Sequence, residues 1–157
     1  MKYWLYGALL CLGACQTRSA TEQEALPLQE ALPGVWATIA FRVTLNATDS
    51  SAVPEIFEVP EDEWETRLGM RPIITYYDSD HRYRMEYRNS ADSLTRLTRG
   101  LWNVFGDTLM LIAPDATYQY EVKLDGKQAT FRCLLDWDGD GEENDEYIGI
   151  QEFIKRN

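Results

Sequence analysis

The densest chemistry in the chain is the run Asp136-Trp137-Asp138-Gly139-Asp140-Gly141-Glu142-Glu143-Asn144-Asp145-Glu146, with seven carboxylates and no basic residue. Repulsion at that density is unfavourable unless solvent or a cation screens it. Oxygens at alternate positions can converge on one ion, and the intervening glycines permit the sharp turn this needs. Other reactive types are sparse. His81 is the only histidine, so neither a His-based zinc site nor a Ser-His-Asp triad can be assembled in the usual way. Cys133 lies in the strand-like run Ala129–Leu135 with no histidine near it in sequence, and reads as a small buried core residue rather than a nucleophile. The crowded acids lack a pocket that would split their pKa values, so acid–base catalysis is disfavoured too. The expectation is a protein that is not an enzyme.

The Asp-x-Asp-x-Asp-Gly start of the acidic run resembles a calcium-binding loop. The second half departs from the helix-loop-helix form, since Tyr147 stands where a bidentate carboxylate belongs and the flanks are strand-like. It is closer to calcium loops set inside β-hairpins. That resemblance implies Asp136, Asp138, Asp140 and Asn144 as ligands, with the backbone carbonyl of Glu142, around a structural calcium. Water or Asp145 would complete the shell. The alternative is a solvated acidic hairpin tip without an ordered ion.

At the other end of the chain, a Lys2-bearing start leads into the apolar stretch Tyr3–Leu12, too short for a stable membrane span and suited to a signal peptide over residues 1–14. It ends in Leu12-Gly13-Ala14-Cys15, which resembles the lipobox of bacterial lipoproteins. The resemblance implies an acylated Cys15 as mature N-terminus and a membrane partner reached through that lipid anchor. Gln16 follows where an inner-membrane retention signal would carry Asp, so the implied location is the cell envelope at the outer membrane. Residues 15–33 are polar with scattered Ala and Pro and read as a flexible tether. With Cys11 removed and Cys15 acylated, only Cys133 remains, and no internal disulfide is possible.

The elements that must position these residues are strands. The chain is 45% hydrophobic and 12% aromatic, too apolar for a disordered protein. Its net charge of −11 excludes a nucleic-acid partner, which needs clustered Lys and Arg. Runs rich in Val, Ile, Thr and Tyr fall at Val35–Leu45, Arg71–Asp78, His81–Arg88, Leu94–Phe105 (broken near Gly100), Thr108–Ala113, Tyr118–Leu124, Gln128–Leu135 and Tyr147–Lys155. Tyr83, Met85 and Tyr87 alternate with Arg82, Arg84, Glu86 and Arg88, which is a wall with one wet face. Pro60, the acids behind it, Arg67 and Gly69 predict one short helix near 60–68. Eight sequence-adjacent strands predict an all-β, eight-stranded antiparallel up-and-down barrel over residues 34–157, with a two-sheet sandwich as alternative.

Gly34-Val35-Trp36 at the first strand resembles the Gly-x-Trp signature of lipocalins and lipocalin-like bacterial lipoproteins. It implies that Trp36 closes one end of the barrel under a cation from Lys155 or Arg156. Two functions remain open. One is a binding lipoprotein holding a small apolar or amphipathic ligand, with Trp64 on the short helix as either a lid or a plug. The other is an interaction or inhibitor module meeting an envelope protein through its acidic surface.

Overall fold

The computed structural model describes residues 26–46 and 53–156. The segment expected as a signal peptide, Cys15 and most of the loop after the first strand lie outside the described residues.

The elements are α1 (Leu28–Ala31), β1 (Gly34–Leu45), β2 (Glu55–Val59), α2 (Trp64–Leu68), β3 (Ile73–Tyr77), β4 (Arg82–Arg88), β5 (Leu94–Phe105), β6 (Thr108–Ile112), β7 (Thr117–Asp125), β8 (Gln128–Leu135) and β9 (Asp145–Lys155). From β3 to β9 each strand pairs antiparallel with the next, and β1 pairs with both β3 and β9. The result is a closed ring of eight strands, the barrel architecture expected, in which closure removes the exposed edges of an open sheet.

The extra strand is β2. It runs beside the upper half of β1, from Phe41 opposite Val59 to Leu45 opposite Glu55, on the edge that β3 occupies lower down. The sequence reading leaves these residues in a connection. Their signal is short: Phe57 and Val59 alternate with Glu58 between Pro54 and Pro60.

One strand serves two cores because β1 carries a bulge. Trp36, opposite Phe153, packs into the lower core, and the register then slips between Thr38 and Ala40. Beyond the slip Phe41, opposite Gly149, and Val43, opposite Tyr147, belong to the upper core. An extra residue that swaps the faces of a strand is what a bulge does.

The lower core is solid. Trp36, Tyr77, Trp102, Leu109, Val122 and Phe131 are all at most 3% exposed. Residues 28–31, expected as tether, instead form α1, which with its C-cap Leu32 buries Leu28 and Leu32 against this floor, because two leucines at i and i+4 share one helix face. The Trp36 indole N–H donates to the Leu32 carbonyl at 2.8 Å. Gly34 sits at φ 148°, where a Cβ would meet the Phe153 ring at 2.6 Å and the Lys155 carbonyl at 2.8 Å. That crowding explains the glycine two residues before Trp36. The expected cation over Trp36 is placed differently. Arg156 donates to the carbonyls of Glu30, Ala31 and Pro33 and lies over Phe153, whose ring meets Trp36 edge-on at 5.2 Å.

The upper core gathers Phe41, Val43, Val59 and Trp64. Helix α2 starts at Trp64, later than the sequence suggests, and ends on Gly69 in the left-handed conformation. The Trp64 indole donates to the Ile39 carbonyl at 2.6 Å, and its ring lies 5.5 Å from Phe41. Of lid and plug, this packing gives the plug: Trp64 fills the place where β1 changes partner from β3 to β2. The expected break near Gly100 is also absent. β5 is continuous there, and the missing side chain lets the Ile112 carbonyl approach where β5 passes from β4 to β6.

Candidate functional site: the barrel mouth and its acidic loop

The floor, with α1 and the β3–β4, β5–β6 and β7–β8 turns, occupies one end of the barrel. The β4–β5 and β6–β7 loops, α2 and the acidic β8–β9 loop stand at the other.

The acidic loop is built from turns in which carboxylates accept backbone N–H groups. Asp136 accepts from Gly139 at 2.7 Å and Gly141 at 3.1 Å, Asp138 from Asp140 at 3.1 Å, and Asp140 from Glu142 at 2.8 Å. Positive φ at Gly139 and Gly141 lets the chain turn tightly enough for this. Among the ligands expected from sequence, Asp136 and Asp138 come together, and Asp145 joins them with one oxygen of each within 4.8 Å of the others. Two calcium–oxygen bonds of about 2.4 Å span that distance, so the set fits a shared cation. Asp140 stands outside this group. Asn144 keeps its place by geometry of another kind: its Oδ1 is buried and has no hydrogen-bond partner, while its carbonyl accepts from the Asn46 side chain at 2.7 Å.

Asp145 is the hub, and the sequence reading gives it only a completing role. It is 1% exposed and accepts from the backbone N–H groups of Asn46 (3.0 Å), Trp137 (2.9 Å) and Asp138 (3.3 Å). A buried carboxylate is tolerable when several N–H dipoles meet it. These bonds tie the end of β1 to the start of the loop. Trp137 then folds back over the mouth, 5.9 Å from Phe41 and 6.1 Å from Phe57. The acidic loop and the upper core are therefore one packed unit.

Between the floor and the upper core the barrel interior carries buried hydroxyl groups. Tyr77, Tyr120 and Tyr147 have phenols held well above their ordinary range, chiefly because burial disfavours the phenolate. Burial likewise pushes the Cys133 thiol up to about 11, so it stays protonated at neutral pH and is a poor nucleophile. Thr75 Oγ1 and Gln151 Oε1 are buried without a partner. Nearer the rim, inward-facing Met85, Tyr87 and Thr98 are half-buried and Tyr118 is 41% exposed. A shallow depression of about 480 Å³ beside the upper edge of β5 is lined by Arg96, Leu97, Thr98, Arg99, Pro114 and Asp115. His81 is remote from all of this, on the β3–β4 turn with its ring 4.8 Å from Trp102.

The fold and site define the chain as an eight-stranded lipocalin-like barrel with an acidic loop at its mouth. No protein-family model matches the chain, and no curated protein aligns with it significantly.

Proposed function

We propose that the protein is a lipid-anchored, non-catalytic binding protein of the cell envelope. It takes a small amphipathic molecule at the mouth of its barrel, and its loop 136–144 holds a structural calcium ion. The observation carrying this reading is the contrast between the packed interior and the rim. The floor and the upper core are both packed, whereas rim side chains facing the interior, Met85, Tyr87, Thr98 and Tyr118, remain reachable. An apolar body would lie against Met85 and the tyrosine rings, and Arg96, which stands over Tyr87 at 5.2 Å, would meet an acidic head. The calcium reading is supported by the oxygen-only cluster Asp136, Asp138 and Asp145 and by the orphaned Asn144 Oδ1. When bound, the ion would neutralise the loop and hold Trp137 over the upper core. Anchoring at the outer membrane rests on the lipobox resemblance at Cys15.

Titration with anilinonaphthalene sulfonate, an amphipathic anion, tests the mouth. Saturable one-site binding that the Tyr118→Ala/Arg96→Gln variant weakens about ten-fold, roughly 1.4 kcal/mol, supports it. Binding unchanged by the variant, or none, contradicts it. The second reading, an envelope interaction module working through its acidic side, is favoured by the solid floor, and failure of the dye titration leaves it standing.

A further inference from the structure

We propose that the outer wall formed by β4, β5 and β6 is a docking surface for an anionic phospholipid bilayer. Because Trp102 points into the barrel, its neighbours on β5 point out. Leu97, Leu101 and Phe105 are 37%, 52% and 60% exposed along this strand, and Ile112, the cross-strand partner of Leu101, is 39% exposed. Single exposed leucines are ordinary, but four large apolar side chains on one face, interleaved along β5 with Arg99 and Asn103, make an amphipathic surface that something covers.

The flank of the row says what. On β4 the outward positions are Arg82, Arg84, Glu86 and Arg88, with Arg82 opposite Leu101 and Arg84 directly opposite Arg99. Like charges facing each other across a sheet are destabilising. Arg84 is placed over the Tyr76 ring at 3.7 Å with Glu86 at 3.6 Å, whereas Arg99 has no ion pair among the described residues. An anionic surface would relieve that pairing. The outer face of this wall is basic in a chain of net charge −11: Arg82, Arg84, Arg88 and Arg99 point outward against Glu86, while Arg96 turns inward over Tyr87. In the ring of eight, β9 is four strands from β5 in either direction, which puts the acidic β8–β9 loop on the opposite wall. Screening over about 8 Å at physiological salt keeps the acidic field on its own side.

Apolar side chains entering the headgroup boundary with guanidiniums at the phosphates is how a peripheral surface holds an anionic bilayer. A protein partner, or a second copy of this chain, would need a matching acidic rim around an apolar strip. The surface acts without an acyl chain, so it goes beyond the anchor at Cys15 and stands if that anchor fails.

Residues 26–157 contain the whole closed barrel and both cores and lack Cys15, so they suit the test. They are sedimented with vesicles of phosphatidylcholine alone and of phosphatidylcholine with phosphatidylglycerol. Binding to the anionic vesicles should be about ten-fold tighter and should weaken as salt rises. Leu101→Ser/Phe105→Ser should reduce binding to both vesicles, and Arg82→Gln/Arg99→Gln should make the two vesicles equivalent. Leu134→Ser, at a 61% exposed position on β8, should change nothing. Thermal melts establish that each variant folds. Equal binding to both vesicles, none to either, or an equal loss in Leu134→Ser overturns the proposal. So does a concentration-dependent dimer that Leu101→Ser/Phe105→Ser dissolves, which would assign the row to a second copy.

Discussion

Asp138 and Asp145 both belong to the acidic cluster, yet their side chains do different work. Asp138 accepts one local N–H within the loop, while Asp145 accepts three and joins the loop to β1. Asp145→Ala should therefore destabilise the protein even in chelator, by about 2–4 kcal/mol, because several shielded N–H groups lose their acceptor. Asp138→Ala should leave the chelated melt nearly unchanged and remove only the response to calcium. Equal effects of the two in chelator would contradict this division. The buried phenols give a second prediction. Tyr77, Tyr120 and Tyr147 have folded pKa values raised above the ordinary 10, so they stay protonated in the fold while the unfolded chain ionises. Stability is then fully present below about pH 10 and falls above it, by about 1.4 kcal/mol per pH unit for each phenol. Cys133, raised to about 11 from 9, starts the decline slightly earlier. Urea unfolding from pH 8 upward should show it, with a shallower fall in Tyr120→Phe; an unchanged slope in that variant would contradict the assignment.

At the scale of elements, strand alternation was legible because each wall has one wet and one dry face. Tyr83, Met85 and Tyr87 point inward as their spacing required, and Gln128–Leu135 is a strand over the same residues. What escaped was set by tertiary contact. β2 is five residues long and is held by β1, and α1 exists because Leu28 and Leu32 meet a floor that sequence alone does not display. Gly100 was legible as a special residue but not as what it does, since the close approach involves Ile112, twelve positions away. Gly100→Ala should cost about 2–3 kcal/mol, because the new methyl collides with backbone that cannot step aside. Chemical denaturation measures it, and a cost below that of Gly126→Ala, where the space is open but φ is 59°, would contradict the crowding account. In the acidic loop the spacing revealed Asp136 and Asp138. It undervalued Asp145, whose role depends on Asn46 at the far end of the chain.

For the whole molecule, the mouth, its loop and the upper core behave as one unit, so an ion in the loop should stabilise the entire fold. Calcium at about ten times Kd contributes roughly 1.4 kcal/mol if only the folded state binds it. Melts with calcium and with chelator should then differ by a few degrees. Coincident melts across millimolar calcium would leave the loop as a solvated acidic tip. The most direct measurement of the central claim is native mass spectrometry of the protein purified from its own host in mild detergent. The account predicts a chain beginning at acylated Cys15, carrying calcium and a small non-covalent adduct that the Tyr118→Ala/Arg96→Gln variant loses. An unmodified N-terminus at another residue, with no adduct in either protein, would contradict it.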